Sequence, residues 1–169
     1  MNEKDIKLWQ FGGFVATSLV GTLLHFLYEW SGENKIAAIF SGVNESTWEH
    51  MKLMFVPMFV FALVQSRFFK GFENFFCVKL IGLLSSLILI PVLFYTYNGV
   101  FSTSPDFVNI AIFFVSAAAG FFVETKLFLK DGFKGLNGTV CLIIMIFIGI
   151  LFALFTFYPP NLNIFKEPK

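Results

Sequence analysis

The chain contains few charged residues, and their signs nearly cancel. Of 169 residues only 14% are charged, the formal net charge is +1, and Arg67 is the single arginine among 12 basic residues. Soluble domains usually carry about 25% charged residues. A nearly neutral chain offers no basic surface to nucleic acid, which is therefore excluded as a partner.

Cysteine and histidine are also scarce. Neither Cys77 nor Cys141 has a second cysteine or a histidine nearby at a spacing typical of metal sites. Both lie in apolar runs, which predicts free, buried thiols. The sequence has no H-E-x-x-H motif, no G-x-S-x-G elbow and no glycine-rich phosphate loop, so no motif decides whether the protein is an enzyme.

Apolar residues, by contrast, are abundant: 57% of the chain is hydrophobic, and its mean hydropathy is +0.77. A soluble domain of this size could not bury so much apolar surface, whereas a bilayer removes the need to. Five stretches have the roughly 20 apolar residues that a spanning helix needs. They are residues 8–28, 48–68, 75–97, 107–129 and 138–158. The sequence therefore predicts a single transmembrane domain over residues 1–169, an all-α polytopic bundle of five transmembrane helices in a lipid bilayer.

The distribution of lysine and arginine predicts the orientation of this bundle. Basic residues on the side of the N-terminus are Lys4, Lys7, Arg67, Lys70, Lys79, Lys126, Lys130 and Lys134. Those on the opposite side are Lys35, Lys52, Lys166 and Lys169. Because cytoplasmic loops are enriched in these residues, we predict a multi-pass protein of the cell membrane with its N-terminus in the cytoplasm and its C-terminus outside. We expect Lys79, which lies inside an apolar run, to snorkel toward the cytoplasmic side.

Residues 32–43 are too short to span a bilayer. Ile36, Ile39, Phe40 and Val43 recur at helical spacing. The segment is predicted to be either a short helix in the membrane interface or a shallow re-entrant turn, and the sequence does not choose between them.

Polar residues gather at the outer end of the first predicted span. His25 and Glu29 are four residues apart and share a helix face, which continues a stripe formed by Gly13, Thr17 and Gly21. Small residues pack between helices in membranes. The stripe therefore predicts that His25 and Glu29 face the bundle and not the lipid.

A second group of polar residues opens the next span on the same side. Together the two groups form a predicted polar cluster of His25, Glu29, Asn44, Glu45, Glu49 and His50. Imidazole and carboxylate groups suit zinc, manganese or iron. The sequence thus suggests a divalent transition metal as cofactor, with His25, Glu29, Glu45 and His50 as ligands.

Purely structural interpretations compete with this site. Ser46 and Glu49 have the spacing of a capping box, in which both side chains bond to amides at the start of a helix. His25 could also be a buried histidine that bonds to a neighbouring carbonyl.

Several segments resemble a family of small bacterial multi-pass membrane proteins of unknown function. They are residues 25–32 (HFLYEWSG), 43–52 (VNESTWEHMK) with Pro57, 90–97 (IPVLFYTY) and 157–165 (FYPPNLNIF). The Asn-Glu-Ser-x-Trp-Glu-His stretch is the most specific of them. The resemblance spans nearly the whole chain and implies a membrane topology, but no activity.

Three functions remain open from the sequence. The slightly favoured one is a non-catalytic partner or sensory subunit, in a homo-oligomer or with a membrane partner protein. The alternatives are a small cation, proton or solute transport protein, and a membrane-embedded metal-dependent hydrolase. In the hydrolase, metal-bound water would be the nucleophile and Glu45 or Glu49 the base.

Overall fold

The computed structural model describes residues 1–72, 74–101, 105–130, 132, 135 and 137–167, with the backbone alone at Asp106. Lys134 and Lys169, which contribute to the predicted orientation, lie outside these residues. The described residues form six α-helices and one 3-10 turn, and no strand. They are α1 (Glu3–Trp30), α2 (Lys35–Phe40), α3 (Thr47–Ser66), α4 (Phe75–Phe101), α5 (Asp106–Phe128), α6 (Gly138–Phe157) and the turn Asn163–Phe165.

Five of these helices, all but α2, are long and apolar enough to cross a membrane. The predicted fold class, all-α with five potential spans, is confirmed. Large apolar side chains such as Leu8, Phe11, Leu19 and Leu23 on α1 are exposed on the outside of the bundle. Such a surface fits a lipid environment, where apolar side chains gain nothing from burial against one another.

Local signals set where the helices begin and end. Asn2, Ser46 and Asn137 accept hydrogen bonds from amides in the first turns of α1, α3 and α6, as N-cap residues do. At the other end of α6 the helix stops at Phe157, just before Pro159 and Pro160, because proline lacks an amide hydrogen and clashes with the preceding turn.

Residues 32–43, for which the sequence left an interfacial helix or a re-entrant turn open, contain the short helix α2. It packs on α1, α3 and α6. Ala38 is buried, and its carbonyl accepts a hydrogen bond from Lys52 Nζ at 2.8 Å. The segment is therefore part of the bundle, while its depth in a bilayer stays a prediction.

Glycine permits the closest contacts between the long helices. A Cβ atom at Gly13 would collide with the rings of Phe61 and Phe121, and one at Gly21 would collide with Phe113. Through these contacts α1 packs closely against α3 and α5. They also define the register between α1 and α5, in which the two helices run antiparallel.

The structure overturns the prediction of free thiols. Cys77 and Cys141 form a disulfide, with their Cα atoms 5.0 Å apart. The two residues are 64 positions apart in the chain. They meet because α4 and α6 begin side by side, a relationship that sequence spacing does not reveal.

Candidate functional site

Three of the predicted site residues meet at one end of the bundle. His25 comes from α1, Glu45 from the loop before α3, and His50 from the first turn of α3. His25 Nε2 lies 3.6 Å from one carboxylate oxygen of Glu45, and His50 Nε2 lies 3.5 Å from the other. The three potential ligand atoms all lie within 4.8 Å of one another.

A hydrogen bond orients the ring of His50. His50 Nδ1 lies 3.0 Å from the carbonyl oxygen of Ser46. A carbonyl only accepts, so Nδ1 must carry a proton. In a neutral ring Nε2 then presents a lone pair toward Glu45, which is a ligand position for a cation, whereas in a protonated ring Nε2–H would donate to the carboxylate. A backbone carbonyl that holds the second ring nitrogen is also the usual support of a metal-ligating histidine.

The loop that carries Glu45 has its own support. Asn44 Oδ1 accepts a hydrogen bond from the amide of Ser46 at 2.9 Å, which closes a tight turn around Glu45. Asn44 therefore shapes the loop and does not join the three-residue group. Glu45 itself is open to solvent at this end of the bundle, with a side-chain exposure of 61%.

The spacing of the ligand atoms fits a single metal ion. Zinc is bound at about 2.0–2.1 Å by histidine in tetrahedral sites, so two ligand atoms lie roughly 3.3 Å apart around it. The two separations between nitrogen and oxygen, 3.6 and 3.5 Å, are close to that value and end on different oxygens of Glu45. All three ligand atoms lie within 4.8 Å of one another, which is close enough for them to approach one divalent metal ion.

A cavity of about 500 Å³ adjoins the group and is lined by all three residues. The rest of its wall comes from α1, α3 and α5, and it is largely apolar, with Phe26, Phe113 and Phe114. Asn109 contributes a polar atom, and its Oδ1 is buried without a partner among the described residues. A mostly apolar pocket with a few convergent polar groups is the usual form of a small-molecule site.

Glu29 does not join this group. Its side chain is exposed, whereas Gly13, Thr17 and Gly21 are buried and His25 is half-buried. An α-helix advances about 100° per residue, so a stripe at four-residue spacing rotates by about 40° per step. After four steps the stripe has left the helix face that it began on. The prediction that this stripe turns Glu29 toward the bundle is therefore wrong.

Glu49 belongs to a different cluster. Its carboxylate pairs with Lys52 at 2.6 Å, and it also accepts hydrogen bonds from Thr156 Oγ1 at 2.9 Å and from the amide of Val43 at 3.1 Å. Ser46 does cap Glu49, through its amide at 3.3 Å. Since the carboxylate bonds to Val43 and not to Ser46, the capping box is only half formed. Glu49, which was predicted to belong to the polar cluster, therefore lies outside the group of His25, Glu45 and His50.

A third polar cluster, which the sequence did not reveal, lies at the opposite end of the bundle. Lys79 on α4 forms a fully buried ion pair with Glu124 on α5 and also donates a hydrogen bond to Gln65 Oε1 at 3.1 Å. The expectation that Lys79 snorkels is wrong, because a buried carboxylate already compensates its charge. An unexplained acidic residue inside an apolar run, Glu124, was the available signal.

The fold and the site together describe a helical bundle that could span a membrane and could hold a metal ion at one end. The described residues of the chain contain five helices able to cross a membrane and, at one end of the bundle, a His–Glu–His group that could hold a metal ion. The chain belongs to the family of unknown function DUF6512, whose family model matches residues 1–168. No curated protein and no solved structure shows significant similarity to it. Membership of a family of unknown function was predicted and is confirmed, while the bacterial origin and the motif group stay predictions.

Proposed function

We propose that this protein is an integral membrane protein that binds a divalent transition metal ion through His25, Glu45 and His50. The observation that carries the proposal is the convergence of three ligand atoms within 4.8 Å of one another from three separate segments. The hydrogen bond between His50 Nδ1 and the Ser46 carbonyl supports it further, because in a neutral ring it leaves Nε2 as the free ligand atom. Two imidazoles and a carboxylate make zinc the first candidate.

The site has room for a fourth ligand. Three protein ligands with an open position are typical of metal sites that exchange a water or a small molecule, whereas structural zinc sites have four protein ligands. The adjoining cavity would hold that ligand against an apolar wall. A small amphipathic molecule with a metal-binding head group suits such a cavity.

Metal-dependent hydrolysis is the second candidate, and the cavity beside the metal ligands favours it. A metal-bound water would be the nucleophile. Neither carboxylate predicted as the base is free, however, because Glu49 pairs with Lys52 and Glu45 is itself a ligand. Metal binding is thus better supported than catalysis. The partner or sensory subunit stays a prediction, for which co-purification of a membrane protein is the test.

We place the metal site on the outer side of the membrane. Lys79 and Lys52 are buried in ion pairs and so do not count as loop charges. Without them the basic residues still divide seven to three in favour of a cytoplasmic N-terminus. The metal site lies at the other end of the bundle, where α1 ends and α3 begins.

The metal content of purified protein tests the proposal. The protein is loaded with zinc in detergent, desalted and analysed by mass spectrometry for bound metals. We expect about one zinc ion per chain, lost in His25→Ala, Glu45→Gln and His50→Ala. Zinc at one hundred times its dissociation constant should also stabilise the folded protein by about 2.7 kcal/mol.

Glu29→Gln is the matched control. Glu29 is a glutamate on the same end of α1, but it is exposed and outside the group. This variant should keep the metal. Wild-type protein that retains no more zinc than Glu45→Gln contradicts the proposal, as does equal loss in Glu29→Gln.

A further inference from the structure

The cavity beside the metal-site residues has a polar end and an apolar body. Its polar end is formed by His25, Glu45 and His50, and this end meets solvent because Glu45 is exposed. Its body lies between α1, α3 and α5, where Leu53 and Phe113 line it together with other apolar side chains. A molecule that fills this cavity must therefore be polar at one end and apolar along the rest of its length.

Tight packing closes the cavity toward the centre of the bundle. A Cβ atom at Gly21 would lie 2.6 Å from the ring of Phe113 and 3.0 Å from the carbonyl oxygen of Leu53. Gly21 is four residues before His25 on α1, which is a distance of about 6 Å along the helix. The cavity is therefore shallow along the bundle axis and does not continue as a pore.

The cavity borders the apolar outer surface of the bundle between α1 and α5. Phe26, Ile110 and Phe114 line it. The same three residues are exposed on the outside, by 43%, 57% and 38%. Side chains that face both spaces mark an opening between them, and this outer surface is the one that fits a lipid environment. An apolar chain can therefore extend from the cavity sideways into lipid.

The charge of the site favours an anionic head group. A divalent metal ion bound by two neutral imidazoles and the carboxylate of Glu45 keeps one positive charge. Among the described residues, no lysine or arginine lines the cavity. One negative charge on the ligand therefore neutralises the site, and a carboxylate supplies it with an oxygen that zinc accepts. A carboxylate also ends its chain, whereas the phosphodiester of a phospholipid carries groups on both sides and needs more room beside two imidazoles.

Asn109 adds a requirement beside the head group. It lies in the first turn of α5, at the same end of the bundle as the metal-site residues, and it lines the cavity. Its Oδ1 is buried and accepts no hydrogen bond from the described residues. The hydroxyl of Thr22, also in the cavity wall, already donates to the carbonyl of Ser18 at 2.8 Å. Because a buried acceptor without a donor costs free energy, the ligand should bring an O–H or N–H group to Asn109.

We propose that this cavity binds a single-chain lipid acid with a hydrogen-bond donor next to its carboxylate, an inference that rests on the proposed metal site. The carboxylate takes the open position at the metal, and the donor bonds to Asn109 Oδ1. The chain passes between Phe26, Ile110 and Phe114 into the bilayer. Hydroxy fatty acids and N-acyl amino acids share this chemistry. No covalent bond is made or broken, so the ligand exchanges with the membrane.

Binding to the protein in nanodiscs tests this proposal. Zinc-loaded protein is reconstituted in phosphatidylcholine nanodiscs, its zinc content is measured, and radiolabelled β-hydroxymyristate and N-lauroylglycine are added, with empty nanodiscs as background. We expect saturable binding of about one molecule per zinc ion, because three protein ligands leave one open position. EDTA should abolish it, and the methyl ester of β-hydroxymyristate, which has no charge, should not bind. Myristate, which lacks the donor, should bind about threefold to tenfold more weakly, as the loss of one hydrogen bond predicts.

Asn109→Leu tests recognition of the donor. Leucine is similar in size and removes a buried polar atom that has no partner, so folding and zinc content should be retained. We expect this variant to bind β-hydroxymyristate no more tightly than myristate. Asn98→Leu is the matched control, because the amide of Asn98 bonds to the carbonyl of Phe94 at 2.9 Å and does not line the cavity. It should keep the preference of the wild type.

The zinc measurement separates failure of the lipid-acid proposal from failure of the metal site. Wild-type protein that carries zinc but binds neither donor-bearing acid above empty nanodiscs overturns the lipid-acid proposal alone. Binding that survives EDTA, or that is no tighter than that of myristate, also overturns it. Protein that carries no zinc overturns both proposals. Tighter binding of either β-hydroxymyristate or N-lauroylglycine than of myristate supports the proposal, and the tighter of the two identifies the class of lipid acid.

Discussion

Lys52 shows how a charge is held inside the bundle. Its ammonium donates hydrogen bonds to the carbonyl of Ala38 and to Thr156 Oγ1, at 2.8 and 2.7 Å, and pairs with Glu49. Lys52 is completely buried, and its partners come from α2, α3 and α6. The cluster therefore joins three helices. It also anchors the loop before α3, because Glu49 accepts from the amide of Val43.

Removal of one member of this pair should be costly. A buried charge without its partner costs about 3–5 kcal/mol, whereas loss of both partners costs much less. We expect Lys52→Met to lower the free energy of unfolding in detergent by about that amount, and Lys52→Met/Glu49→Gln to recover part of it. Lys126→Met, at an exposed lysine, should change stability by less than about 0.5 kcal/mol. Equal effects at positions 52 and 126 would show that the pair is not buried in the folded protein.

The packing of α1 distinguishes two adjacent glycines. A Cβ atom at Gly13 would lie 2.5 Å from ring atoms of both Phe61 and Phe121, while one at Gly12 would meet nothing within 4 Å. The two residues have the same intrinsic cost in a helix. Their difference therefore isolates the contact of α1 with α3 and α5.

Alanine substitution tests this contact. Gly13→Ala should destabilise the protein by about 1–3 kcal/mol, because the two rings must move. Gly12→Ala should stabilise it by up to about 1 kcal/mol, because alanine favours the helix. Both are measured by unfolding in the same detergent. If Gly13→Ala is as stable as Gly12→Ala, α1 does not pack in the observed register.

Two features of the whole molecule disagree about its orientation. The lysine and arginine bias predicts that the first turns of α1 and α4 lie in the cytoplasm. The same end contains the disulfide, since Ile6 packs with Phe75 and Val78 near Cys77. Disulfides persist mainly in oxidising compartments. Both cysteines are completely buried, and burial would shield the bond from soluble thiols, so the disulfide does not contradict the predicted cytoplasmic location.

Labelling of introduced cysteines tests the orientation. The native cysteines are bonded and buried, so they do not react and can be kept. We expect a membrane-impermeant maleimide to label Leu162→Cys in intact cells and to label Glu3→Cys only after the membrane is opened. Wild-type protein is the control for background. Labelling of Glu3→Cys in intact cells would reverse the proposed orientation and put the disulfide outside.

The sequence by itself determined the number and approximate places of the long helices. Hydropathy is a property of each residue and adds up along the chain, so no distant contact is needed to recognise a spanning segment. The sequence also predicted that His25 lies near Glu45 and His50, because a short connection between consecutive helices keeps their facing ends close. The position of Glu29 outside the metal-site group also follows from the sequence, because a stripe at four-residue spacing rotates around the helix. The prediction for Glu29 did not take this rotation into account.

Only the tertiary structure decided the contacts between helices distant in the chain. The Lys79–Glu124 pair, the Cys77–Cys141 bond and the cavity shared by His25 and Asn109 each depend on which helices are neighbours and in what register. In a bundle where most residues are apolar, hydropathy is nearly the same in every register. The choice is made by a few glycines and buried charges, whose partners a single sequence does not name.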